Sequence, residues 1–169
     1  MSRRGVFTVL LAAAVLALAG CGSSKTTTSS AGGSTGPSAT HVRFAKTKFA
    51  LHAGLAFGTF HHFIYAPFKA GDFSHPFSHK LTVLKALAAG LFVKHEVSLA
   101  LTDARASKLL SHVVAPITAL GAGLAAIRGS IAGHHPNAHA ITSANTDVAA
   151  AEFNSSSAGQ PIKEMVGSP

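Results

Sequence analysis

The chain has 169 residues, 47% hydrophobic and 12% charged, with a formal net charge of +8 at pH 7. One cysteine, Cys21, excludes an intramolecular disulfide, and six Asp and Glu in all, none paired at a useful spacing, leave little for carboxylate catalysis or Ca²⁺. The basic residues are spread along the chain without a block, which argues against nucleic acid as a partner.

The N-terminus opens with Arg3 and Arg4, followed by the uncharged apolar run from Gly5 to Gly20. This is the order of a positive n-region and an h-region. The run is 16 residues long, short of the ~20 that cross a hydrocarbon core as a helix.

It ends in Leu18-Ala19-Gly20-Cys21, which resembles the lipobox of bacterial prolipoproteins. The resemblance covers residues 1–21 and no family is recognised beyond them. It implies a signal peptide over 1–20, cleavage before Cys21, and a diacylglyceryl group, carrying fatty acids such as palmitate, on the cysteine sulfur. Each acyl chain would add about 0.8 kcal/mol per buried CH₂, so two give stable attachment to the extracytoplasmic face of a membrane. Ser2 to Phe7 is also similar to a twin-arginine export signal, so both export routes stay open.

After Cys21, residues 22–40 hold 6 Ser, 5 Thr and 4 Gly out of 19. That composition cannot bury a core and behaves as a coil spanning roughly 25 Å. Residues 21–40 therefore read as the lipidated foot and a flexible tether. The remainder suits one domain over 41–154, with a flexible tail over 155–169. Without Arg3 and Arg4 the chain keeps 12 basic against 6 acidic side chains, a balance that reads as a solvated basic surface or as attraction to anionic lipid or cell-wall polymer.

The domain reads as all-α, an antiparallel bundle of three to four helices. Phe49, Ala53, Phe57, Phe60, Ile64 and Phe68 are spaced as one helix face, and Pro67 should end or kink that helix. Eight of the 11 Phe fall between Phe44 and Phe77, so this region brings much of the aromatic core. Ser78 is positioned to cap a second helix with Leu81, Leu84, Ala88, Leu91, His95 and Leu99 on its buried face. That helix either breaks at Thr102 and Asp103 or runs on to Val114. A third carries Ile117, Leu120, Leu124 and Ile127 to Gly133, and a short fourth starts near Thr146 and ends at about Asn154. Small residues four apart, Gly54 with Gly58, Ala86 with Gly90 and Gly129 with Gly133, would let backbones approach closely.

Histidine is the enriched reactive type, with 11 residues. His75 to His79 and His135 to His139 share the pattern HPxxH. If each Pro opened a helical turn, histidines four apart would share a face and bite one metal ion. In an up-down-up bundle the two loops lie at one end, which would bring His75, His79, His134, His135 and His139 together, with His61 and His62 just below. Such a site would suit Zn²⁺, Cu²⁺ or Ni²⁺. His52, His95 and His112 read as helix histidines, hydrogen-bonded or partly buried rather than ligating. The chain has no GxSxG, HExxH or phosphate-loop motif. The functional expectation is thus a membrane-anchored lipoprotein of the cell envelope, a non-enzymatic module that binds a partner protein or an envelope component. The alternative is a metal-binding lipoprotein, with an enzyme behind both.

Overall fold

A computed structural model describes residues 39–167; the signal peptide, Cys21 and most of the tether lie outside the described residues. Five α-helices follow in order: α1 (Ala39–Phe60), α2 (Ala66–Ala70), α3 (Lys80–Arg105), α4 (Ser111–Ala132) and α5 (Ala138–Ser157), with no strand among the described residues. The fold is an all-α bundle of four long helices. α1 packs on α3, α3 on α4 and α4 on α5. The contacts run in opposite senses along each pair: Phe44 and Lys48 in the first turns of α1 lie beside Thr102 and Asp103 at the end of α3, Gly90 and Val97 of α3 meet Arg128 and Gly121 of α4 in reverse order, and His112 at the start of α4 meets Asn154 near the end of α5. Successive long helices are therefore antiparallel, as short connections require.

The stripe expected on α1 forms the core. Phe49, Ala53, Phe57 and Phe60 are fully buried, Ile64 nearly so, and Phe68 packs against them. Pro67 neither ends the helix nor simply bends it. Proline has no N–H and its ring crowds the carbonyl four residues back. The backbone ahead of it widens into a π turn, His61–Tyr65, before α2 finishes at Gly71 in the left-handed region (φ 82°).

α3 buries a different face from the expected one. Val83, Ala86, Ala89, Gly90, Val93, Val97, Ala100 and Ala104 point inward, while Leu81, Leu84 and Leu91 are 73%, 63% and 54% exposed. The two sets lie on opposite sides of a helix turning about 100° per residue. Small side chains face inward because α1 already fills the shared core with three large rings, Phe49, Phe57 and Phe60. Close packing then needs Ala and Gly opposite them. His79, not Ser78, takes the N-cap position of α3.

The chain breaks between α3 and α4 at Ala106 and Ser107, so α3 does not reach Val114. One apolar stretch, Lys108–Ala132, is long enough to cross a membrane by length and composition. In the bundle its Val113, Ile117, Leu120, Leu124, Ile127 and Ile131 are core residues. Pro116 sits inside α4 and denies the His112 carbonyl its helical donor; the Asn154 amide of α5 donates to that carbonyl instead, at 3.0 Å. α4 ends in a Schellman motif, with His134 in the left-handed region (φ 59°) and the His135 N–H on the Ser130 carbonyl.

α5 begins at Ala138, eight residues before the expected start. Asn137 supplies the reason, since its Oδ1 accepts from the Ala140 N–H at 2.9 Å. The helix runs on to Ser157 and closes in a second Schellman motif, with Gly159 left-handed at φ 70° and the Gln160 N–H on the Ser155 carbonyl. The following segment is a packed strap, which corrects the expectation of a loose tail. It lies along α1, where the Met165 N–H donates to the Gly54 carbonyl and the Gly167 N–H to the Thr59 hydroxyl, both at 2.9 Å. Gly54 and Gly58 do permit close backbone approach, but to this strap and not to another helix.

Candidate functional site

The histidines of the two loops do not form a metal cage. Among the described residues no three His, Cys, Asp or Glu side chains stand close enough to hold a metal ion. The loops do share one end of the bundle, where the rings of Phe77 and His134 lie 5.5 Å apart. His75–His79 closes as a lone turn, with the His79 N–H on the His75 carbonyl at 3.2 Å, and His135–His139 spans the N-cap of α5, so the two pairs belong to separate segments and neither gains a third ligand among the described residues. His75, His135 and His139 are exposed on separate turns. His79 is 3.8 Å from Asp72. His62, also exposed, sits edge-on to Phe63.

Histidine instead pairs with carboxylate inside the bundle, and spacing in the sequence gives no sign of it. His52 Nδ1 is 2.6 Å from Glu96 Oε2 and its Nε2 is 4.0 Å from Asp103 Oδ2, which joins α1 to α3 across a gap of 44 residues in sequence. Glu96 is only 7% exposed. Of the other helix histidines, His95 and His112 are exposed.

The second centre gathers at the π turn. His61 Nδ1 lies 2.5 Å from Glu164 of the strap and its Nε2 is 2.9 Å from Asn145 Oδ1 of α5. Both ring nitrogens of His61 thus have polar partners, one on the strap and one on α5. Glu152 of α5 stands beside them. Burial, the Glu164 charge and a hydrogen bond with Glu164 push its carboxyl above the usual range, against a smaller opposing pull from His61. Asp147, on the same helix, is also raised by burial.

These raised carboxyls set a sign for stability. A group whose folded pKa lies above its unfolded value opposes folding while ionised, and that opposition is relieved as pH falls through the folded value. Glu152→Gln keeps a donor for Glu164 without the charge. It should raise the unfolding midpoint at pH 7 and leave it nearly unchanged near pH 4, in urea titrations at the two pH values. A lower midpoint at pH 7 would contradict the assignment.

The remaining candidate is the outer face of α3. Lys80, Lys85, Lys94 and His95 are exposed beside the leucines, and Phe77, 76% exposed, extends the apolar surface at the helix start. A shallow apolar cavity of about 300 Å³ opens there between Phe77, Leu84 and His134. Large side chains stacked outward over several turns form a contiguous apolar patch, the usual mark of an interaction surface.

The fold and this surface define a helical bundle with an open apolar helix face. No known protein family, curated protein or solved structure matches the chain.

Proposed function

We propose that this chain is an exported lipoprotein, anchored through lipid on Cys21 to the extracytoplasmic face of a cell membrane, and that its helical body is a non-enzymatic binding module of the cell envelope. The observation that carries the binding role is the outer face of α3, which turns Leu81, Leu84 and Leu91 away from the core and leaves each more than half exposed. Leaving three leucines in water forgoes on the order of 1.5–3 kcal/mol of burial for each. A partner surface recovers it. The polar groups able to do acid–base chemistry support the non-enzymatic reading, since His52 with Glu96 and His61 with Glu164 tie bundle elements to one another.

The anchor rests on the charged start, the apolar run and Leu18-Ala19-Gly20-Cys21. Cys21→Ser should abolish fatty-acid labelling and leave the precursor uncut, read by metabolic labelling and by mass on cells expressing the full chain. Continued labelling of the Ser variant would sink the anchor reading.

A further inference from the structure

We propose that the outer face of α3 docks on an anionic phospholipid bilayer, which names the partner of the binding module just described and rests on that reading. Leu81, Leu84 and Leu91 fall at i, i+3 and i+10, with Ala88 and His95 between and beyond them on the same side of the helix. Phe77, Leu81, Leu84 and Leu91 are all exposed, and the leucines span about three turns of the helix with Phe77 in the turn that precedes it. A helix presenting such a stripe can lie in the plane of a membrane interface with its apolar side chains in the acyl boundary.

The charges select the kind of surface. Lys80 and Lys94 flank the stripe on one side and Lys85 on the other, all exposed, and long lysine stems can lie along acyl chains while their ammonium groups reach the headgroups. No Asp or Glu occurs between Phe73 and His95, and Glu96, the next acid, faces His52 in the core. The helix face is therefore basic around an apolar centre, and the nearest acid, Asp72, lies beside His79 at the helix start. A second copy of the chain would set these lysines against one another, like charge on like charge. An anionic bilayer answers both the apolar stripe and its cationic edges, and each lysine near it is attracted within a Debye length.

The test uses the mature chain from residue 21 with Cys21→Ser, so that lipid on the chain plays no part and the outcome does not depend on the anchor. Sedimentation with vesicles of equal parts phosphatidylglycerol and phosphatidylcholine should carry the protein down, and pure phosphatidylcholine should not. The triple variant Leu81→Ser, Leu84→Ser, Leu91→Ser alters only exposed side chains and should keep the helical circular dichroism while losing vesicle affinity by at least about ten-fold. Changing Lys80, Lys85 and Lys94 to Gln should give a similar loss at low salt and a weaker salt dependence. No binding to the anionic vesicles, equal binding to both vesicle types, or full binding by the folded leucine variant would each overturn the proposal. So would a concentration-dependent dimer that the leucine variant dissolves, which would assign the face to a second copy.

Discussion

Gly58→Ala should destabilise the bundle by about 2 kcal/mol and free the C-terminal strap, although alanine is the better helix former by about 1 kcal/mol. A Cβ at Gly58 would stand 2.6 Å from the carbonyl carbon of Met165 and 2.7 Å from its nitrogen, and would run into its oxygen as well. These are backbone atoms, so no rotamer change relieves the clash. The strap must lift. With it go the Met165 bond to Gly54 and the buried Gly167 bond to Thr59, each worth about 1 kcal/mol net. Ile162, packed on the core, would also return to water, at on the order of 1 kcal/mol for a partly buried side chain. Gly123 and Gly129 on α4 are the comparison, since a Cβ there meets nothing within 4 Å. Alanine at those two sites should stabilise by up to about 1 kcal/mol. Urea unfolding of the three variants gives the signs, and hydrogen exchange over 160–167 reports the strap itself. A stabilised Gly58→Ala protein with a protected strap would refute the packing described for this segment.

The α1 stripe was legible because its large residues and its core residues coincide: phenylalanine three or four apart leaves one face to bury. α3 was not, and its failure is informative. A hydrophobic pattern ranks leucine above alanine, so it turned Leu81, Leu84 and Leu91 inward, yet the face packed with Phe49, Phe57 and Phe60 is buried as alanine, glycine and valine, with Leu87 and Leu101 only partly buried at its edge. Volume complementarity across two helices decides the face, and volume is a property of the pair. The start of α5 carried a readable local signal, Asn137 directly after Pro136, which the polar residues one turn further on, Thr142, Ser143, Asn145 and Thr146, obscured. The HPxxH pairs misled because the pattern presumes a helix at positions that serve as loop and cap. The strap and the two histidine–carboxylate centres had no local signal at all, since His61 meets Glu164, and Gly167 meets Thr59, only once the bundle has closed.

His52→Ala should cost about 2–3 kcal/mol, the range for removing the partner of a nearly buried charged hydrogen-bonding group. In the native bundle Glu96 is 7% exposed, and truncation removes its 2.6 Å imidazole contact on a helix that also carries Asp103. The loss is thus larger than the contact's own net value, because desolvation of the acid persists after its partner is gone. Glu96→Gln on the native background should cost less, since a neutral amide can still bond the ring and carries no charge to desolvate. Adding Glu96→Gln to His52→Ala should recover about 1–2 kcal/mol relative to His52→Ala alone, the coupling expected of two groups in direct contact. At this chain size that recovery corresponds to a few degrees in the thermal midpoint. Strict additivity in the double-mutant cycle would mean that histidine and glutamate share a location without sharing energy. Measured coupling would instead make this pair a polar pin between α1 and α3, added to the volume match that sets which side of α3 faces outward with its leucines.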